Sequence, residues 1–185
     1  REKKVAKKTD AAQRLRTALI KCTKGQLIEV LVELADEDRV ILRRLAARIE
    51  LKASPQELAA TTRQAIADAT DFDQRDANHN FAYDYEAYEE VRRNLMRLID
   101  LGELRLAMEL SLELMKQGSY QVEMSDEGLM TEDIEGCLMP VIQILEKSDL
   151  PSDEVVAWCE AMTKRDGVGF ICEGQLQSLQ SRFKT

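Results

Sequence analysis

Ser54-Pro55-Gln56-Glu57-Leu58 is the stretch on which the fold turns. A serine oxygen here can accept from the first free N–H groups of a helix, and proline suits the first helical position. A glutamate three residues after the serine can reach back to the serine N–H, completing a capping box. Thr23…Gln26 has the same spacing, and Ser152-Asp153-Glu154 sets a cap and acids ahead of another apolar stripe. Gly102, Gly118 and Gly167 each follow an apolar-periodic run, where a left-handed C-terminal cap belongs. The chain therefore reads as a succession of bounded helices.

Between these boundaries the apolar residues recur at helical spacing. Leu15, Ala18, Leu19 and Cys22 predict a first helix over about residues 9–22. Leu27, Ile28, Leu31, Leu34 and Ala35 make a second stripe. Ile41, Leu42, Leu45 and Ile49 make a third, with Arg39, Arg43, Arg44 and Arg48 largely on its other side. Leu58, Thr62, Ile66 and Ala69 make a fourth, and a polar loop follows from Asp71 to Asn80. Tyr85, Tyr88, Val91, Leu95, Leu98 and Ile99 then keep one face, interrupted by Arg92, with Glu86, Glu89 and Glu90 on the solvent side.

The stretch of about residues 103–117 carries two apolar stripes, one through Met108 and Met115 and one through Leu110 and Leu114, which predicts a helix sandwiched at the centre of the core. Ile134, Leu138, Val141 and Leu145 continue the pattern, with Pro140 predicting a kink or fresh start near Gly136–Met139. Val155, Trp158, Cys159 and Met162 mark the next helix, and Leu176, Leu179 and Phe183 a short last one. The expected fold is all-α: antiparallel helical hairpins stacked as a tetratricopeptide-like array or an irregular bundle. Residues 1–24 are expected as a basic arm and first helix, and residues 25–185 as a single helical-array domain.

Composition bounds the function classes. With 185 residues, 44% of them apolar, and only three prolines, the chain suits one ordered helical domain and not a disordered one. No apolar run approaches the roughly 20 residues that span a bilayer, and the charged N-terminus has no signal-peptide pattern. Arg1, in place of methionine, reads as a fragment of a longer protein or a processed start. Residues 1–24 hold nine of the 26 Lys and Arg and two of the 34 Asp and Glu, a local net of +7 against −15 for the remainder. Lys3, Lys4, Lys7, Lys8 and Arg14 in that arm are candidates for touching nucleic acid, while the acidic body would repel phosphate. Cys22, Cys137 and Cys159 fall on apolar faces, and Cys172 lies in a glycine-flanked loop where it is the most reachable. Reduced thiols in a cytoplasmic protein are the economical reading.

Few residues carry chemistry. Asp76, Asn78 and Asn80 match the first side-chain ligands of a calcium loop, with Asp84 at the ninth position. Phe81 stands where the loop needs glycine and Ala87 where it needs a bidentate acid, so an Asx-rich surface loop is the better reading. His79 is the sole histidine, without a zinc partner set or a supported cysteine–histidine pair. Gly167-Val-Gly169 begins like a phosphate loop but no strand precedes it. No metal, cofactor or catalytic set is expected. Tyr85 and Tyr88 are expected in the core, while Tyr83 and Tyr120 lie off the main stripes and are candidate contact anchors.

Gln26-Leu-Ile-Glu-Val-Leu-Val-Glu-Leu-Ala-Asp-Glu-Asp38, followed by the arginine-rich stretch Arg39 to Arg48, resembles the LxELAxED unit in the helical region of certain bacterial SWIM zinc-finger proteins. Phe81…Tyr85…Tyr88, the segment Leu-Ala-Met-Glu-Leu at 106–110 and Ser125-Asp126-Glu127-Gly128 look like its continuation, over about residues 25–165. The family's Cys-x-Cys…Cys-x-His zinc motif is absent, so no metal or DNA role carries over to any residue. The resemblance implies a tetratricopeptide-like array attached to or working beside a nucleic-acid-associated module. From the residues themselves, the expected function is a non-enzymatic protein-interaction scaffold with Tyr83, Glu86, Glu89, Glu90 and Tyr120 meeting a protein partner. The alternative is a nucleic-acid accessory domain that uses the basic arm.

Overall fold

The computed structural model describes residues 11, 13–48, 53–71, 84–125 and 131–184, and helices are the only regular structure among them. A helical stretch at residues 13–19 precedes α1 (Lys24–Glu37), α2 (Arg39–Arg48), α3 (Pro55–Thr70), α4 (Tyr85–Asp100), α5 (Leu104–Met124), α6 (Glu132–Leu145), α7 (Ser152–Arg165) and α8 (Glu173–Phe183). The all-α expectation holds. The chain divides into two units, residues 1–50 and residues 51–185.

Both capping boxes form. The Ser54 N–H donates to Glu57 Oε2 at 2.8 Å while Ser54 Oγ accepts from the Glu57 N–H at 3.3 Å. Thr23 and Gln26 make the same reciprocal pair ahead of α1. At the end of α4, Gly102 adopts φ +79°, its N–H donating to the Ile99 carbonyl and the Glu103 N–H to the Leu98 carbonyl. This is the paired 5→2 and 6→1 closure of a Schellman cap.

Other expected boundaries fail for reasons that lie elsewhere in the chain. Gly118 does not end a helix: α5 runs on to Met124, and Gly118 sits where a Cβ would lie 2.8 Å from Ile134 Cδ1. It is glycine because α6 passes that close. The left-handed conformation near Gly167 belongs to Gly169, at φ +82°. Ser152 is the first residue of α7, behind Pro151, and makes no side-chain cap. Pro140 lies inside α6, which continues as one helix from Glu132 to Leu145.

Residues 51–185 form a two-layer stack. Helices α3, α5 and α7 contact one another in order, as do α4, α6 and α8, and each of the pairs α3–α4, α5–α6 and α7–α8 packs as a hairpin. Cross-helix bonds fix the directions. Arg63 reaches Glu109 and Glu113 near the start of α5, and Gln121 near its end reaches the Ala69 carbonyl, so α3 and α5 run parallel. Arg105 with Glu154 and Ser119 with the Arg165 carbonyl do the same for α5 and α7. Tyr88 at the start of α4 donates to Gln121 at 2.7 Å, which makes α4 antiparallel to α5.

Helix α5 is the centre of the core, as its two stripes predict. It packs against α3, α4, α6 and α7, burying Met108, Leu110, Leu114 and Met115 among others. Each such side chain contributes about 1.5–3 kcal/mol when fully buried. The buried arc of α4 is turned from the expected stripe: Ala87 and Asn94 face inward with Val91 and Leu98, while Tyr85 is exposed. Small Ala87 lets the neighbouring helix approach, and Tyr85 is displaced to the rim. The arginines of α2 are likewise not all outward, since Arg43 is buried and Leu42 exposed.

Candidate functional site

The C-terminal ends of α3 and α7 lie on either side of the C-terminal half of α5, and the last carbonyls of a helix have no partner within it. Side chains of α5 supply them. Gln121 Nε2 donates to the Ala69 carbonyl at 2.9 Å, and Ser119 Oγ donates to the Arg165 carbonyl at 3.0 Å. Gln121 is itself held by the Tyr88 hydroxyl, so one buried chain of hydrogen bonds joins α4, α5 and α3. On the other side of α5, Trp158 Nε1 donates to the Met108 carbonyl at 2.9 Å.

Beside these caps the three helices leave a cleft of about 370 Å³, lined by Thr70, Lys116, Gln117, Tyr120, Glu123 and Arg165, with Ser119 and Gly167 at its edge. Of these lining residues, Thr70 Oγ1 donates to Gln117 Oε1 at 3.2 Å. Tyr120 stands 59% exposed, a large apolar ring with a polar tip. A Cβ on Gly167 would come within 3.0 Å of Glu123 Oε2, so a larger residue there would push the carboxylate aside. Toward the N-terminal half of α5 the same layer is laced by ion pairs: Arg63 to Glu109 at 2.6 Å and Glu113 at 2.9 Å, and Arg105 to both oxygens of Glu154 at 2.7 and 3.0 Å. Arg105 holds the Glu154 carboxyl below its ordinary value. A second groove of about 240 Å³ lies between α4 and α6, lined by Met96, Ile99, Pro140 and Lys147.

Among the described candidate partner-binding and nucleic-acid residues, Tyr120 alone lies in the cleft. Glu86, Glu89 and Glu90 sit on α4, in the other layer, and are half-buried instead of fully on the solvent side. Glu89 accepts from the Tyr85 hydroxyl at 3.3 Å and its charge raises the Tyr85 pKa. Arg14 is exposed on the helical stretch 13–19. Tyr83, Lys3, Lys4, Lys7, Lys8, Asp76, Asn78, His79 and Asn80 lie outside the described residues. Lys116, Glu123 and Arg165 carried no signal in the sequence, because each looks like an ordinary solvated helix residue until α3, α5 and α7 bring them together.

The thiols reverse their expected order. Cys172 is buried, held in a left-handed conformation (φ +53°) at the start of α8, and Cys22 is the exposed one. Burial pushes the Cys137 and Cys172 thiols up to about 12 and Cys159 to about 11. A thiol with so high a pKa holds its proton at neutral pH and is a poor nucleophile. Among the described residues no group of three His, Cys, Asp or Glu is placed to hold a metal ion, and no helix is long and apolar enough to cross a membrane. The chain matches no protein-family model, no curated protein and no solved structure.

Proposed function

We propose that this chain is a non-enzymatic protein-interaction scaffold and that the cleft between α3, α5 and α7 receives a peptide segment of its partner. The observation that carries the reading is Tyr120, exposed on a cleft whose other lining residues are tied by the Thr70–Gln117 and Ser119–Arg165 hydrogen bonds. An aromatic ring on a rigid helix gives contact area at low entropic cost. The acidic charge outside the arm, net −15, favours a basic partner by long-range steering. Glu86, Glu89 and Glu90 on α4 are part of that field. Stacked hairpins support the tetratricopeptide-like reading, and the resemblance to SWIM zinc-finger proteins supports an accessory domain of a larger protein. Four free cysteines fit a reducing, cytoplasmic setting.

The test is selection from a displayed peptide library at physiological salt, followed by titration of the selected peptides. Basic sequences should be enriched. Tyr120→Ala should weaken them by about 5- to 30-fold, the range of one lost aromatic contact of about 1–2 kcal/mol. Reversing Glu86, Glu89 and Glu90 to lysine should slow association without abolishing binding. The reading fails if no peptide is retained, or if neither change alters the affinity.

The basic arm motivates a second reading, a nucleic-acid accessory domain, on its local charge of +7. Deleting residues 1–24 should then abolish binding to duplex DNA and its steep salt dependence. Binding that survives the deletion excludes it.

A further inference from the structure

The apolar surface of α1 is wider than one neighbouring helix can cover. From Val30 through Leu31 to Val32 its aliphatic residues span about 200° of the circumference, against the roughly 100° stripe of a helix that faces a single core. Helix α2 packs on it, yet Ile28, Val30, Leu31, Val32 and Leu34 are all 40–54% exposed, and only Ala35 is buried. Leu42 of α2 is 46% exposed as well. Together these six present on the order of 450 Å² of apolar surface, as much as the largest patch of a typical monomer. Interfaces are about 60% apolar, so the whole footprint would be about 750 Å², close to the ~800 Å² each partner gives to a standard interface.

Charge says what fits there. In α1, Lys24 stands against Glu29, Glu33, Asp36 and Glu37, a net of −3, whereas α2 carries Arg39, Arg43, Arg44 and Arg48 and no acid, a net of +4. Several of these charges sit against the dipole of their own helix. Asp36 and Glu37 occupy the last turn of α1, where cations are favoured, and Arg39 opens α2, where anions are favoured. Helix stability alone does not account for that placement. Within one chain the two helices already meet as a pair of opposite sign, so the hairpin offers an acidic helix and a basic helix side by side, a surface complementary to itself.

We propose that residues 24–48 are a homodimerisation hairpin: two copies of this chain associate about a twofold axis, α1 of one against α2 of the other, as a four-helix bundle. An isologous contact of this kind meets each −3 helix with a +4 helix twice, while pairing α1 with α1 would oppose like charges. The second copy also covers the part of the α1 arc that α2 leaves open.

Sedimentation of the full chain between about 1 and 100 µM tests this, because a standard interface of moderate quality dissociates in that range. The chain is expected to be dimeric at the top of the range and to dissociate on dilution. Val32→Lys, at an exposed position where lysine is the better helix former, should weaken the dimer by at least about tenfold. Asp36→Lys with Glu37→Lys should weaken it too, although both changes suit the α1 dipole and leave helix content by circular dichroism intact or higher. Tyr120→Ala, in the cleft, should leave the dimer unchanged. A monomer at every concentration overturns the proposal, as does a dimer that Val32→Lys leaves intact. A dimer sensitive to Val32→Lys but not to the paired lysines overturns the α1–α2 pairing.

Discussion

At Gly118 two effects oppose each other. Alanine is favoured over glycine in a helix interior by about 1 kcal/mol, but its Cβ would lie 2.8 Å from Cδ1 and 3.1 Å from Cγ1 of the buried Ile134. Overfilling a packed core costs about 1–3 kcal/mol. Gly118→Ala should therefore destabilise by about 1 kcal/mol, read from the urea midpoint. Ile134→Val removes the nearest methyl, so the same substitution in that background should lose its penalty; a penalty that persists would mean another contact is responsible. The buried thiols make a second prediction. Their folded pKa values are raised from 9.0 to about 11–12, so below pH 9 both folded and unfolded chains keep the proton and stability is undiminished. Above that the unfolded chain ionises first, and stability falls as pH climbs toward 11–12. The unfolding midpoint should drop between pH 8.5 and pH 10.5, and drop less in Cys137→Ala. At neutral pH a thiol reagent should modify Cys22 alone until the chain is unfolded.

Elements bounded by local chemistry were readable in advance, and those bounded by distant chemistry were not. The Ser54–Glu57 box needs only residues three apart, so its spacing is its geometry. The ends of α3 and α7 are closed by Gln121 and Ser119 from α5, which nothing near Ala69 or Arg165 announces. Likewise α5 passes through Gly118 because of a side chain sixteen positions later, and α6 carries Pro140 because packing against α4 and α5 outweighs one lost backbone bond. Ser54→Ala should cost about 1 kcal/mol at neutral pH. The Ser54 N–H and hydroxyl hold the Glu57 carboxyl below its ordinary 4.5, so the box contributes fully above that pH and is lost as pH falls through the lowered folded value. Amide protection in the first turn of α3 should decline over that acid window in the parent chain and show no such step in Ser54→Ala.

For the whole molecule, periodicity shows which face of a helix is apolar but not which helix covers it. The antiparallel hairpins were legible from stripes and short connections, whereas the parallel stacking of α3, α5 and α7, and with it the cleft, depends on contacts about 45–50 residues apart. The same limit applies to α1, whose stripe looked like any core face and is mostly uncovered. Residues 51–185 hold the hydrophobic core cluster, while in α1 and α2 only Ala35 and Arg43 are buried among the described side chains. Opening free energies follow buried contacts, so amides of α5 should exchange slowest and those of α1 fast. A partner that binds only the folded hairpin adds protection that grows with its concentration. If the partner is a second copy, α1 protection should rise between about 1 and 100 µM protein while that of α5 stays constant. Slow α1 exchange at the lowest concentration would instead mean that its apolar arc is covered from within the chain, and that the dimer is unnecessary.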